Sequence, residues 1–470
     1  MTKDEHVVEL IHENTLKLLK EVGLEFHSEN ALQTLREGGV RVEGRRAYFN
    51  EKQVMDAIDA ATKDFTVYAR NPKYNVHVNT EDLYVMPGYG SPSVCEADGT
   101  VRSAVMDDFL KLAELVQVSE LFSINGGILA QPSDIPAEIS AEAMVYATLC
   151  RSDKALFSVC GGGVQASRIM KMLEIVFGDI HDWPCSFNLI STLSPMAVPT
   201  NAIETMDICA EYGQPLVIGP GPMAGGTGPV SLAGNTSLCN AEILGTNVYA
   251  QMIHPGVPVI YCFAATVSDL NNMNPYNSGP GFLKEAKYGA MLAKKYGFAC
   301  RSGGGMSDAS GFTAQAGVES AMNLFHSFEC KANFVMHAAG SLHSFGTVSY
   351  EKFILDMETI DRLRYYSSDL DVEEEALAFD AIREAVEEGE NFILSEHTLE
   401  RMRKDPWTPM ISLHNKSHGD PNQELIASAQ KKIAALLENY HRPALEQEKR
   451  SRLDELMRKV GLSESEIARI

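Results

Sequence analysis

Seven times between Leu121 and Gly340 the chain repeats one pattern: a short apolar run, an abrupt cluster of Gly, Pro, Ser, Thr or Asn, then a stretch with helical spacing. The runs are LFSINGGILAQ from Leu121, ALFSVCGGG from Ala155, CSFNLISTLSP from Cys185, PLVIGPGPMAGG from Pro215, VPVIYCFAAT from Val257, FACRSGGG from Phe298 and NFVMHAAGS from Asn333. A strand covered on both faces of a parallel sheet reads as a continuous apolar run, and strands alternating with helices build a parallel sheet. Seven such units, with an eighth strand expected at 353–357, fit an α/β (β/α)8 barrel better than an open sheet. Barrels carry their chemistry at the C-terminal ends of their strands. This chain places its Gly, Asn, Ser and His residues there.

At 470 residues the chain exceeds one minimal domain and suits a barrel with additions. A net charge of −23 argues against nucleic acid, whose phosphates demand a basic face. No apolar stretch is long enough to span a bilayer, and the charged start MTKDEHVVEL lacks a secretory apolar segment. Nine cysteines stand at 95, 150, 160, 185, 209, 239, 262, 300 and 330 with no C-x-x-C pair. Several lie in apolar runs, where a thiol packs as a small hydrophobe. The expectation is a cytoplasmic, reduced protein with no metal site.

The spacing divides the chain into an α+β cap over 1–90, a barrel over 91–370 and a helical extension over 371–470. In the cap, helices are expected at 5–22, 29–37 and 51–61, with short strands at 40–49 and 65–85. The inter-strand helices are expected at 106–118, 139–150, 166–177, 202–212, 232–252, 281–296 and 314–330, and 349–366 also reads as mostly helical. The extension carries charged amphipathic helices. They are expected to pack against the barrel or a neighbouring subunit, giving a homo-oligomer.

The loops supply the candidate site. GPGPMAGGTGP from Gly219 misses the dinucleotide spacing G-x-G-x-x-G by one residue and carries intruding prolines, so it reads as a tight loop at the barrel mouth. RSGGGMSDASGFTAQAGVESA from Arg301 is the densest polar cluster after a strand, and its three consecutive glycines allow close backbone approach to a ligand. Ser307 or Asp308 could instead cap the following helix. HAAGSLHSFG brings His337, His343 and Phe345 to the next loop, each equally readable as a structural residue. No nucleophile elbow, H-E-x-x-H or paired-carboxylate motif occurs. The strand ends are poor in acids, Asp308 being the main exception. They offer small residues, Asn125, Asn188 and Ser191, and the aromatics Tyr89, Phe263 and Phe345, whose faces could hold a quaternary ammonium or simply pack.

Taken together, MPGYGSP from Met86, the Gly219 loop, the Arg301 loop and AAGSLHSFGTVSYEKFILDMETI from Ala338 resemble the trimethylamine methyltransferase superfamily over nearly the whole chain. The most specific stretch is S-D-A-x-x-x-x-A-Q-A-G-x-E, over 307–319. The resemblance implies a (β/α)8 barrel enzyme that moves a methyl group from an amine to the Co(I) corrinoid (cobalamin) of a small partner protein, with no tightly bound cofactor of its own. The founding members carry pyrrolysine, whereas this chain shows only the twenty standard residues. It therefore resembles the pyrrolysine-lacking branch, which demethylates quaternary amines. Glycine betaine is the first expectation and proline betaine the second, with carnitine and γ-butyrobetaine as longer alternatives. Asp308 and His337 are the candidate catalytic residues. Gly88, Tyr89, Gly90, Asn188, Phe263, Arg301, Gly304, His343 and Phe345 are the candidate substrate-binding residues. Two other readings stay open: a barrel lyase or decarboxylase acting on a small acid, and a betaine-binding protein without catalysis.

Overall fold

The computed structural model describes residues 2–159, 161–389, 391–413, 417 and 419–470, so Cys160 lies outside the described residues. All seven apolar runs become barrel strands: β2 (Ile124–Gly126), β3 (Ala155–Phe157), β4 (Ser186–Ile190), β5 (Leu216–Ile218), β6 (Val259–Cys262), β7 (Cys300–Ser302) and β8 (Phe334–Val335). The eighth is β1, Tyr84–Val85, which precedes the others and falls inside the stretch read as cap. Neighbouring strands are parallel in the order β1-β8-β7-β6-β5-β4-β3-β2. A parallel bridge from Val85 to Phe122 closes the ring.

Each strand is followed by its helix: α1 (Met106–Val118), α2 (Ala137–Arg151), α3 (Gly163–Phe177), α4 (Thr200–Glu211), α5 (Leu232–Ile253), α6 (Pro280–Tyr296), α7 (Ala314–Glu329) and α8 (Tyr350–Ser367). The stretch 353–357, expected to hold the eighth strand, lies inside α8. Phe353, Ile354, Met357 and Ile360 are all buried there, the period of a helix face rather than of a strand. Side-chain caps start the last two helices. Thr313 accepts from the Ala316 amide and Ser349 from the Lys352 amide. The cap of α7 is thus Thr313 and not Ser307 or Asp308, which sit before the helix begins.

Side chains of the barrel strands alternate between axis and helices. Ile124, Ala155, Phe157, Phe187, Val217, Ile260, Cys262, Ala299, Phe334 and Met336 pack together inside the ring. Leu156, Ile190, Leu216, Ile218, Tyr261 and Val335 pack outward with the helices. The hairpin Phe65–Val67 with Val76–Val78 adds Val67, Val76 and Val78 to the inner cluster and seals the end of the barrel opposite the mouth. The rest of the cap is tied into the barrel. Strand Leu24–Phe26 pairs in parallel with Ala197–Val198 of the loop after β4, and Lys287 of α6 meets Asp4 at 2.5 Å.

The extension lies over α8, α1, α2 and α3 through helices Pro421–Glu438 and Gln447–Val460. Between them and α8 runs an arm whose short helices Glu374–Leu377, Phe379–Glu388 and Glu396–Arg401 bury no side chain. No described helix is long and apolar enough to cross a membrane.

One ion pair is sealed from solvent at the mouth end of α8. Lys352 Nζ reaches Asp356 at 2.6 Å and donates to the Gly305 carbonyl at 2.7 Å, while Asp356 accepts from the Gly340 amide at 2.7 Å and from the Ser320 hydroxyl at 2.5 Å. Burial drives the lysine pKa down and the aspartate pKa up, and each opposes the other's shift. Removing one member leaves a buried charge alone. Lys352→Met is expected to lower unfolding free energy by about 3–5 kcal/mol, and the double variant with Asp356→Leu by less than Lys352→Met alone. Denaturant titration of both variants checks this, and a double variant weaker than the single would refute it.

Candidate active site

The inner residues at the strand ends form an aromatic bowl. The Phe157 and Phe187 rings lie 6.3 Å apart, and Phe187 meets Phe334 at 5.5 Å. Tyr89, from the loop after β1, stands edge-on to Phe157 at 5.6 Å. Its ring lies on Gly127, where a Cβ would come within 2.7 Å of it, so only glycine allows that approach.

Arg301 enters this bowl by register. Its strand neighbours are Cys262 and Phe334, both inner residues, so its side chain also faces the axis. The residue is only 9% exposed. It contacts the Met336 thioether, at 2.6 Å from Nη2 and 3.0 Å from Nε, and the Cys262 thiol. Among the described residues no carboxylate pairs with it. A buried cation facing neutral sulfur groups is costly unless an anion joins it.

His337 stands beside it in the left-handed region, at φ +55°. Its Nδ1 accepts from the Tyr89 amide at 3.2 Å, which leaves the proton on Nε2. Its carbonyl accepts from the Gly305 amide at 2.8 Å. Burial, reinforced by the Arg301 charge, lowers its pKa to about 3, so the ring is neutral at physiological pH. Phe345 stacks on it at 5.8 Å. Gly304 sits at φ +145°, and a Cβ there would lie 1.9 Å from the Met336 carbonyl oxygen. The glycine loop is therefore pressed directly onto the β8 backbone.

Asp308 lies further out. It accepts from the Asn277 amide at 3.3 Å and the Ser278 amide at 2.8 Å, and from the hydroxyls of Ser278 and Ser344. It thereby ties together the loops after β6, β7 and β8. Glu319 completes the tie by accepting from the Ser307 hydroxyl at 2.7 Å and the Asp308 amide at 2.9 Å. The signature over 307–319 is thus a loop clamp. Asp308, His343 and Phe345 line a cleft of about 570 Å³ with Asp269, Asn274 and Tyr276. His343 is exposed and bonds Thr347 through Nδ1 at 3.2 Å.

Gly88 and Gly90 flank Tyr89. A Cβ on Gly88 would lie 3.3 Å from the Ala339 carbonyl, and the Gly90 amide donates to Ile128. Asn188 and Phe263 are turned away from the bowl. Asn188 pairs in register with outward Leu216 and spends its amide on the Ser186 and Pro215 carbonyls. Phe263 packs against Gly289 of α6. Asn125 likewise bonds the Ala113 carbonyl of α1. All three sit on the outward phase of their strands.

Sequence reasoning passed over Phe157, Phe187, Phe334 and Met336, whose inward phase a continuous apolar run does not reveal. It also passed over Glu242, the one charged residue inside α5. Glu242 holds the loop after β4 through Thr192 at 2.6 Å, Ser194 at 2.9 Å and the Met196 amide at 2.9 Å.

The fold belongs to a known class. Residues 1–462 match the family described as trimethylamine methyltransferase (MTTB), and the chain is a methyltransferase of that family. Among its relatives, a glycine betaine methyltransferase of Desulfitobacterium hafniense is 36% identical over 98% of this chain and 97% of that one. A proline betaine:corrinoid methyltransferase of Eubacterium limosum is 29% identical, covering 93% of each chain. The trimethylamine methyltransferase of Methanosarcina barkeri is 26% identical, covering 93% of this chain and 90% of the other. The crystal structure of the monomethylamine methyltransferase from Methanosarcina barkeri shares the fold, with a TM-score of 0.55, 12% identity, and 93% of this chain and 88% of that chain covered.

The buried histidine sets a pH dependence. In the unfolded chain it takes up its proton near 6.5, in the fold only near 3. The unfolded state binds more protons between those values, so this group's contribution to stability falls as pH drops through that window. His337→Asn is expected to flatten the loss between about pH 6.5 and about pH 3. Denaturant midpoints measured across the window check this; parallel profiles for variant and parent would refute it.

Proposed function

We propose that the chain transfers a methyl group from a carboxylated quaternary amine, glycine betaine first and proline betaine second, to the Co(I) corrinoid of a partner protein. The observation that carries this reading is Arg301: a guanidinium buried at an aromatic bowl, with the Met336 thioether and the Cys262 thiol as partners and no described carboxylate paired with it. A betaine carboxylate supplies the missing anion. Its ammonium then meets the faces and edges of Tyr89, Phe157 and Phe345. The 36% identity to a glycine betaine methyltransferase supports the same choice.

The chemistry needs little else from the protein. The Co(I) electron pair attacks the methyl carbon as the C–N bond breaks, and the bonding pair returns to nitrogen. The products are methyl-Co(III) and a neutral tertiary amine, with no proton transferred. This suits a bowl in which the inner residues carry no acid. His337 is neutral with Nδ1 occupied, and Asp308 is engaged by three loops. We assign both a positioning role, His337 on Tyr89 and Phe345, Asp308 on the rim of the cleft. The work is orientation and exclusion of water.

The rim supports docking of a second protein. Leu193, Val230, Leu270, Met273 and Phe345 are exposed on the loops after β4, β5, β6 and β8. Exposed apolar side chains around a mouth mark a contact face. Co(I) requires reducing surroundings, which fit a cytoplasmic protein; no disulfide joins the eight described cysteines.

Anaerobic mixing with Co(I) cobalamin or the corrinoid protein, followed by absorbance, tests the reading. Methyl-Co(III) should form with glycine betaine and not with trimethylamine. Turnover with carnitine alone would reassign the substrate, and none with any quaternary amine would overturn the reaction. Arg301→Met is expected to raise KM for glycine betaine about 100-fold, since breaking a buried charge pair costs about 2–5 kcal/mol. It should leave binding of choline, which lacks the carboxylate, within about threefold.

A further inference from the structure

The loops after β5 and β6 leave the barrel as one unit. Strand Met223–Ala224 pairs in parallel with Thr266–Asp269, which turns back along Asn274–Pro275. Leu270 lies on Gly225, where a Cβ would come within 2.6 Å of its side chain. The unit carries Val230, Leu270 and Met273 of the exposed apolar rim. What holds it down lies beneath it, between the first turn of α5 and the second turn of α6. Asn235 of α5 is fully buried, and its amide nitrogen donates to the Pro222 carbonyl at 3.2 Å, the Thr266 carbonyl at 3.2 Å and Glu285 Oε1 at 2.9 Å. One amide group thus joins both loops to α6. Gly228 presses on the same side chain: a Cβ there would lie 1.9 Å from Asn235 Oδ1. Glu285 is 1% exposed, and its Oε2 has no hydrogen-bond partner among the described residues.

We propose that Asn235 and Glu285 are positioning residues for methyl transfer: they set how the β5 and β6 loops stand at the mouth, and so the face on which the corrinoid carrier docks. This rests on the reaction proposed above only in naming what docks there. The carboxyl acts as the neutral acid. A carboxylate sealed from water with one amide and no cation is costly, and a proton removes the cost. Burial pushes its pKa up to about 8, and the Asn235 bond opposes this only in part. The Cys239 thiol of α5, which senses its charge, is itself kept protonated by burial. The other titratable groups around α6 have partners of their own. Asp4 takes Lys287 and Tyr288, Glu9 takes Lys295, and His12 bonds the Tyr296 hydroxyl. Glu242 of α5 holds the β4 loop, Asp269 holds Asn271 and Asn272, and His326 and Cys330 of α7 sense Lys287. Arg301 of β7 faces the axis. With the loops lifted, water reaches Glu285 and its pKa returns towards 4.5. The lifted form then binds fewer protons than the closed one between 4.5 and about 8. Closure therefore weakens as pH rises through that window, by up to about tenfold per unit, and levels off above it.

Hydrogen exchange read by mass spectrometry, on the full chain without substrate or carrier, reports on the loops directly. After correction for the intrinsic rate, peptides over 222–230 and 264–276 should lose protection by about tenfold per unit between about pH 6 and about pH 8. Glu285→Gln, the neutral isostere, should keep the protection seen at the lower pH throughout. Parent loops whose protection does not change with pH, or a Gln variant that tracks the parent, would overturn the proposal. Asn235→Ala supplies a kinetic arm. It should raise KM for the corrinoid protein about tenfold and leave KM for glycine betaine within about twofold. Equal rises in both, or in neither, would deny the pair its part in docking. Loops that respond to pH in a protein that demethylates no quaternary amine would sink the reaction and leave the tie standing. Turnover with loops indifferent to pH would do the reverse.

Discussion

Lys352 and Asp356 sit one turn apart on α8, and between them they hold a carbonyl from the β7 loop, an amide from the β8 loop and a hydroxyl from α7. The mouth depends on this tie. The glycine loop can press its Gly304 backbone onto Met336 only while Gly305 is fixed from behind. That contact in turn sets where Arg301, Met336 and His337 stand. A buried ion pair is a poor source of net stability. Here it fixes which of many loop geometries the chain adopts, which an apolar pair of the same volume would leave open.

The bowl is finished by opposite electrostatic demands. His337 is kept neutral by burial and by the positive charge beside it. Arg301 stands in the same surroundings, with no carboxylate among the described residues paired to it. Among the described residues, the aromatic pocket therefore holds a guanidinium and no carboxylate. Such a site complements the carboxylated substrate proposed above.

Much of this was legible in the residues. Seven strands and eight helices follow from runs whose period and punctuation are plain. The exception is β1: two residues, Tyr84–Val85, give no run to read, while FILDM at 353–357 offers a false one. Phase was the harder matter. In VIYCF and SFNLI every position is apolar or small, so nothing in the letters tells that Cys262 faces the axis and Phe263 the helices. Asn188 and Phe263 were drawn to the mouth for their chemistry and turned away by alternation. Arg301, His337, Tyr89 and Phe345 stand out in the sequence because each is a charged, titratable or aromatic residue within a few positions of a glycine at a strand end or in the loop after it. Their partners Met336, Phe157 and Phe187 do not, because they look like core.

The hairpin that plugs the far end of the barrel also decides traffic. With that end shut, substrate and product share a single doorway. If the carrier protein covers the doorway during transfer, the demethylated amine waits beneath it. Departure is then compulsory in order, methylated carrier first and small amine second, and free amine in excess competes with the next betaine rather than with the next carrier.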